Sequence, residues 1–270
     1  MGLLDNFIKS IFIVMLIKPS IISINFKLAI FTVLVIGCFF SCKKEEGIKE
    51  GSRLKTVLHF TGSTIDSFIY DNQQRLIGIK TFGGFSNYEN SIEYNAQGKL
   101  AKVVISYRGI DAYQSDYIYN GAGQIIRRIF TTPGFVDGSA YAYDSQGRLI
   151  ADTTYNQQTG DKINYLSYTY NNQGNIIEEE YTDFLVPQNN RKTSFKFDSN
   201  PSPYKFDGNL LYYIRGGGSQ KLNKNNYTEM KPSWSTARTI QYEYQKNGLP
   251  TKITTPLPND TKDLVMLEYW

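Results

Sequence analysis

One phrase recurs down most of this chain, and it limits the fold before any single residue does. It reads aromatic, Asp or Asn, two further residues, Gly, one more residue, then Leu or Ile. Full copies start at Tyr94, Tyr119, Tyr143 and Tyr170, and looser ones at Tyr70, Phe197 and Tyr244. Successive starts lie 24, 25, 24, 27, 27 and 47 residues apart, so one unit is hidden or replaced in the last gap. Self-similarity at a fixed period is the mark of a repeat architecture. A unit of this length holds two strands and two turns, and is too short for a strand, a crossover helix and two loops.

The turns carry their own chemistry. Asx followed by Gly three residues on occurs at Asn95/Gly98, Asn120/Gly123, Asp144/Gly147 and Asn171/Gly174. The Asx side chain can bond backbone two residues ahead, and Gly takes a left-handed position without a Cβ penalty. Tyr70-Asp71-Asn72-Gln73-Gln74 lacks the Gly, which predicts a different or strained loop. Before each turn, apolar or aromatic residues stand at i and i+2: Phe68/Tyr70, Ile92/Tyr94, Tyr117/Tyr119, Tyr141/Tyr143, Tyr168/Tyr170, Phe195/Phe197 and Tyr242/Tyr244. Such pairs share one face of a strand. Leu76, Leu100, Ile125, Leu149 and Ile176 follow at an offset of six from the aromatic, and Pro250 holds that place in the last copy, as at an edge or bulge. No long segment has helical spacing. The expected fold is all-β, a long antiparallel β-meander of hairpin repeats with about fourteen strands. It forms a curved sheet or a barrel, both of which protect edges. A loop-rich insertion is expected near residues 200–235, with one strand at Asn209 to Ile214.

The first 41 residues are a separate object. Lys27 precedes the apolar run Leu28 to Phe40, and Ser41-Cys42-Lys43-Lys44-Glu45-Glu46 follows. A basic flank, a short apolar run and a small residue before a cleavage point read as a secretory signal peptide over 1–41. Met15 is an alternative start, and two retained hydrophobic anchors are the alternative to cleavage. Residues 42–52 then form an acidic and basic tether ahead of a single β domain over 53–270. The chain carries +4, and Lys9, Lys18, Lys27 and Asp5 take two of those charges with the leader. The remaining charge, near neutral with signs interspersed, excludes an electrostatic nucleic-acid footprint. With only Cys38 and Cys42 in the chain, no disulfide staples the domain.

The Ser41-Cys42 junction resembles that of bacterial lipoproteins, in which the Cys becomes the lipid-bearing N-terminus. Val35-Ile36-Gly37-Cys38 fits the usual four-residue box better by residue type, and Cys42 fits better by position. Cys42 is taken as the lipidation (palmitate) site. The Lys-Lys-Glu-Glu string resembles the signal that sends lipoproteins to the outer face of the outer membrane. The resemblance thus implies a lipid-anchored, surface-exposed protein of the cell outer membrane. Tyr143-Asp144-Ser145-Gln146-Gly147-Arg148-Leu149 resembles the YD repeat of Rhs and teneurin-like shells. Residues 50 to 270 as a whole resemble a bacterial lipoprotein family of unknown function with a porin-like β fold. Three phrases in order carry this: Phe197-Asp198-Ser199-Asn200-Pro201-Ser202-Pro203, Leu222 to Thr228 with its Asn225-Asn226, and Tyr242-Glu243-Tyr244-Gln245-Lys246-Asn247-Gly248-Leu249-Pro250. That resemblance implies a curved antiparallel sheet and no known activity.

Reactive chemistry is sparse. His59 is the only His, which excludes a His-based triad and a multi-His metal site. Asp111, Asp116, Asp137 and Asp161, read as loop residues, lack the spacing of a loop-type calcium site. Gly216-Gly217-Gly218 has no strand-to-helix context for phosphate and reads as a flexible loop. Glu178 and Glu180 share a strand face at roughly 7 Å, within the range a glycoside hydrolase needs, but strand-surface carboxylates more often guard against aggregation. No catalytic residue, metal or cofactor is expected. The aromatic rows carry the functional expectation: Tyr117, Tyr119, Tyr141, Tyr143, Tyr168, Tyr170, Tyr242 and Tyr244 either pack strand on strand or line a concave surface for a glycan or an extended peptide. The expected function is a non-catalytic binding module. A structural element of an envelope assembly is the alternative, and a glycoside-active enzyme the remote one.

Overall fold

The structure, a computed structural model, describes residues 52–84, 87–215, 218–257 and 261–270. The signal segment, Cys38, Cys42, nearly all of the tether and Gly216-Gly217 lie outside the described residues. The strands are β1 (Leu54–His59), β2 (Thr64–Tyr70), β3 (Leu76–Phe82), β4 (Tyr88–Tyr94), β5 (Leu100–Tyr107) and β6 (Ile110–Tyr119). Then come β7 (Ile125–Thr132), β8 (Phe135–Tyr143), β9 (Leu149–Asn156), β10 (Lys162–Tyr170), β11 (Ile176–Asp183) and β12 (Arg191–Pro201). After helix α1 (Gly208–Arg215) follow β13 (Asn225–Pro232), β14 (Arg238–Thr239), β15 (Gln241–Tyr244), β16 (Pro250–Pro256) and β17 (Lys262–Tyr269).

The chain is an all-β antiparallel meander. Each strand from β1 to β13 pairs with its successor, β15 pairs with β16 and β16 with β17. β17 returns to β1, with Val57 opposite Leu267, so the sheet curls into a nearly closed barrel. Between β14 and β15, Ile240 donates its N–H to the Thr228 carbonyl at 2.8 Å. These two short strands are therefore halves of one bent strand, β14 on β13 and β15 on β16. The sheet has 17 strands rather than about fourteen. β1 precedes the first copy of the repeat, β13 lies in the stretch read as loop, and the bend at Ile240 divides one strand in two.

The repeat explains why the sheet curls. The offset of six from the aromatic proves to be a cross-strand pair: Tyr70–Leu76, Tyr94–Leu100, Tyr119–Ile125, Tyr143–Leu149, Tyr170–Ile176 and Tyr244–Pro250. In each case the register shifts by one residue just before the aromatic, leaving Ile77, Ala101, Ile126, Ile150, Ile177 or Thr251 as a bulge. A bulge bends its strand and increases local twist. Six at one level around the sheet give it the curvature that closure requires.

The turns behave as the phrase predicts. Asp144 Oδ1 accepts from Gln146 N and Arg148 N, both at 2.9 Å, and Asp71, Asn95 and Asn171 repeat the arrangement. The turn glycines Gly98, Gly123, Gly147, Gly174 and Gly248 have φ between 72° and 85°. Gln74, in the copy without Gly, is held at φ 63°, so that loop keeps its shape at the cost of strain. Neighbouring copies are locked to each other. Tyr94, Tyr119, Tyr143 and Tyr170 donate their hydroxyls to the carbonyls of Leu76, Leu100, Ile125 and Leu149 in the preceding copy. The cations of Arg75, Lys99 and Arg148 lie over the rings of Tyr94, Tyr119 and Tyr170 at 4.9, 5.2 and 4.6 Å. The Arg of the Tyr-Asp-x-x-Gly-Arg-Leu phrase thus closes its own turn through Asp and caps the next unit's ring.

All these turns lie at one end of the barrel, beside Arg53 and Trp270, whose backbones meet at 2.9 Å. The connections after β1, β3, β5, β7, β9, β11, β13 and β16 lie at the other end, here called the mouth. The core runs along the inner face through Leu76, Ile79, Val103 and Ile176.

Candidate functional site

The expected strand at Asn209 to Ile214 is instead helix α1. Asn-Leu-Leu-Tyr-Tyr-Ile is a short apolar run, and periodicity cannot tell a buried helix from a strand there. Leu211, Tyr212, Tyr213 and Ile214 are all buried, so the second half of the helix is covered all round, while Asn209 is exposed. Gly208 lets it start hard against the following segment, since a Cβ there would sit 2.0 Å from the Lys221 carbonyl oxygen. The part of the loop-rich insertion that precedes β13 is therefore an internal plug.

Bonds to both halves of the ring hold the plug. At the turn end, Asp207 pairs with Arg53 at 2.9 Å and accepts from the Tyr70 hydroxyl at 3.0 Å. At the mouth end, Arg215 pairs with Asp66 of β2 at 2.7 Å and donates to Thr81 of β3 at 2.8 Å. Burial alone would raise the Asp66 carboxyl. Bonding to His59, the Arg215 charge and bonding to Thr81 outweigh it and bring the pKa to about 2. For Asp207 burial prevails over Arg53 and Tyr70, and the pKa is raised. On the far wall, Tyr227 donates to Gln220 at 2.8 Å, and Asn223 accepts from Ile176 N at 2.6 Å.

The tyrosine rows meet this plug, and the expectation of an open ring-lined face is corrected. Tyr117, Tyr141 and Tyr168 are 8%, 7% and 5% exposed. Tyr117 donates to the Tyr213 carbonyl at 3.1 Å, Tyr141 packs edge-on against Tyr213, and the Tyr168 and Tyr212 hydroxyls lie 2.8 Å apart. Tyr212 donates in turn to Asp152 at 2.9 Å, and burial raises the pKa of these phenols, keeping them protonated. Tyr119, Tyr143 and Tyr170 serve the locks between copies. Tyr242 donates to the Tyr227 carbonyl at 2.9 Å, and Tyr244 stacks on Tyr242 with its hydroxyl on Asp198. For Tyr117, Tyr141 and Tyr168 that face is filled by α1, and for Tyr119, Tyr143 and Tyr170 by the bonds between copies, while Tyr244 keeps 37% of its surface exposed.

The other candidates are also located. Glu178 and Glu180 point outward, and Lys192 bridges both at 2.6 and 3.0 Å. That ion-paired surface trio does not converge on a cleft, so the glycoside-active reading loses its two carboxylates. Glu179 between them faces inward. Asp111 and Asp116 lie in β6 and Asp137 in β8 rather than in loops, because these hairpins run longer than the turn signals implied. Asp111 accepts from Ser106 at 2.6 Å and Asp116 from Gln114 at 2.7 Å. Among the described residues no group of three His, Cys, Asp or Glu side chains gathers around a metal position.

What the sequence reading missed is a cavity at the mouth. It encloses about 570 Å³ between β4–β7 and the C-terminal end of α1, lined by Tyr88, Asn90, Ile105, Tyr107, Ala112, Tyr113, Phe130, Ile214 and Arg215. Tyr113 and Phe130 stack with centroids 5.6 Å apart and planes 12° from parallel, and the Arg215 guanidinium lies 5.6 Å from the Tyr88 ring centroid. Tyr107 and Tyr113 keep 40% and 42% of their surface exposed. Apolar rings with a few convergent polar groups are the usual make-up of a ligand pocket. The signal was present in part: Tyr113 shares the inner face with Tyr117, and Tyr88 with Tyr94, each at even spacing. Their openness depends on where the plug stops.

Among solved structures, the fold is similar to that of a porin-like protein from Bacteroides uniformis, with a TM-score of 0.57 and 12% identity over 82% of this chain and 98% of that one. A porin-like protein from Bacteroides vulgatus gives a TM-score of 0.44 at 9% identity, covering 80% of this chain and 97% of that one. A Photorhabdus luminescens Tc holotoxin pore gives 0.32 at 17% identity over 74% of this chain, which spans 9% of that chain. At such identities a likeness shows fold alone, and the first of the three carries it. No protein-family model matches the sequence, and no curated protein matches it.

Proposed function

We propose that this chain is a non-catalytic binding module of the bacterial cell surface, anchored in the outer membrane by lipid on Cys42, that takes a glycan in the mouth cavity. The cavity itself carries the reading: stacked and half-exposed rings give flat apolar platforms for sugar faces, and Asn90 and Arg215 offer polar partners at its floor.

Screening the folded domain against a glycan array, followed by calorimetric titration of the hits, tests the site. Tyr113→Ala is expected to weaken binding at least tenfold, and Tyr244→Ala to leave it unchanged. No ligand on the array, or hits indifferent to Tyr113→Ala, would overturn the mouth as a glycan site. Cys42→Ala is expected to move the protein from the membrane to the soluble fraction. Membrane retention of that variant together with release of Cys38→Ala would shift the anchor to Cys38.

A second reading, a structural element of an envelope assembly, is favoured by the tyrosine rows, which build wall and plug rather than an open groove. In-cell cross-linking that recovers a stable protein neighbour with the mouth variants unaffected would favour it over ligand capture.

A further inference from the structure

The opposite wall of the mouth holds a second cavity of different chemistry. It encloses about 250 Å³ and is lined from β11–β14 by Glu179, Arg191, Phe195, Met230, Trp234 and Arg238 among others, and from the plug by Ser219 and Gln220. Register explains the grouping. Phe195 pairs with Met230, and Met230 with Arg238, so these three form one cross-strand row. Arg191 stands on the same side of β12 as Phe195, nearer the mouth and paired with Tyr181.

Cations of the wall differ in their pairing. Lys80, Lys192, Lys196 and Lys252 each reach a carboxylate within 4.0 Å. Among the described residues Arg191 and Arg238 share the lack of an ion pair with others such as Lys102, Lys162 and Lys231. Arg191 lies 4.0 Å from the centroid of the Tyr181 ring, which fixes the plane of its guanidinium while leaving its N–H edge free to donate. The one acid in the cavity, Glu179, is half-buried and held by Ser219; burial raises its pKa, with the Arg191 charge opposing the rise. Solvated arginines on a strand surface are common and mean little alone. Here two converge on a concavity beside Trp234, whose ring is 61% exposed. Planar guanidinium forks match carboxylate geometry, and an exposed indole provides a face for a sugar ring.

We infer that the β11–β14 cavity is a second binding site, for the carboxylate of an acidic saccharide residue of the uronic-acid type, held by Arg191 and Arg238 with its ring against Trp234. The site stands apart from the aromatic cavity across the mouth and does not rest on a ligand binding there.

Calorimetric titration of the folded domain with trigalacturonic acid and with its methyl ester tests this, because the ester keeps the sugars and removes the charge. The acid is expected to bind at least tenfold more tightly than the ester. Arg238→Gln and Arg191→Gln should each cost about tenfold for the acid and nothing for the ester, with thermal unfolding unchanged. Trp234→Ala should weaken both ligands. Tyr113→Ala should leave the acid unaffected, which separates this site from the aromatic cavity. Equal binding of acid and ester, no binding of either, or acid binding indifferent to both arginine variants would overturn the assignment. Binding of a peptide carboxylate in preference to the uronate would overturn the saccharide part of it.

Discussion

The two ends of this barrel are built on different plans. At the turn end the four full copies repeat one solution: an Asx oxygen closes the turn, a left-handed Gly follows, and a Tyr hydroxyl ties the unit to the one before. At the mouth the connections differ in length and sequence, and large apolar side chains such as Ile110, Leu185 and Trp234 stand 73%, 68% and 61% exposed. The difference teaches where repetition is needed. A repeating bulge sets curvature, so the turn end cannot vary without opening the ring. The mouth bears no such duty, and its side chains are free to form cavities.

The plug runs between these ends, and removing its centre should have the largest effect. Tyr212 is 1% exposed and bonds to both Tyr168 and Asp152. Tyr212→Ala should cost about 3–5 kcal/mol, read as a fall in the urea midpoint. A loss below about 1 kcal/mol would mean that the wall stands without its plug.

The two plug anchors should respond to acid with opposite sign. Asp66, at the mouth, has its pKa lowered from 3.8 to about 2. Its contribution, about 2 kcal/mol, is complete above the unfolded value and is lost as pH falls through the folded one. Asp207, at the turn end, is raised by burial, so folding favours its protonated form. Its contribution is present below the unfolded pKa and is lost as pH rises through the raised one. Urea denaturation of Asp66→Asn should therefore lose the steep acid limb between pH 3.8 and about 2 that the parent shows. A limb that persists in the variant would place the acid sensitivity elsewhere.

Smaller effects sharpen the contrast between the ends. Asp144→Ala removes the acceptor of two backbone N–H bonds and the Arg148 pair, and should lower the melting temperature. Ile110→Ser, at the mouth, should stay within about 0.5 kcal/mol. Thermal melts that rank the two in the opposite order would break the proposed division between a structural end and an open one.

The sequence by itself determined the units, their turns and which side chains share a face. Asx and Gly act through bonds within a few residues, and strand alternation is a local geometric fact, so a linear pattern records both. It also recorded the offset of six, although that this was a bulged cross-strand pair became visible only once strands were set side by side. Tertiary structure decided the rest. Closure of the ring follows from many small bends adding up through contacts some two hundred residues apart, such as Thr56 with Glu268. That Asn209 to Ile214 is a helix was hidden in the linear pattern, because Leu211 to Ile214 are four consecutive buried residues with no polar position among them to mark a period. Whether a ring on the inner face is buried or exposed was settled by the length of the plug: Tyr117 lies beneath it, while Tyr113, four residues nearer the mouth on the same strand, lies beyond its end.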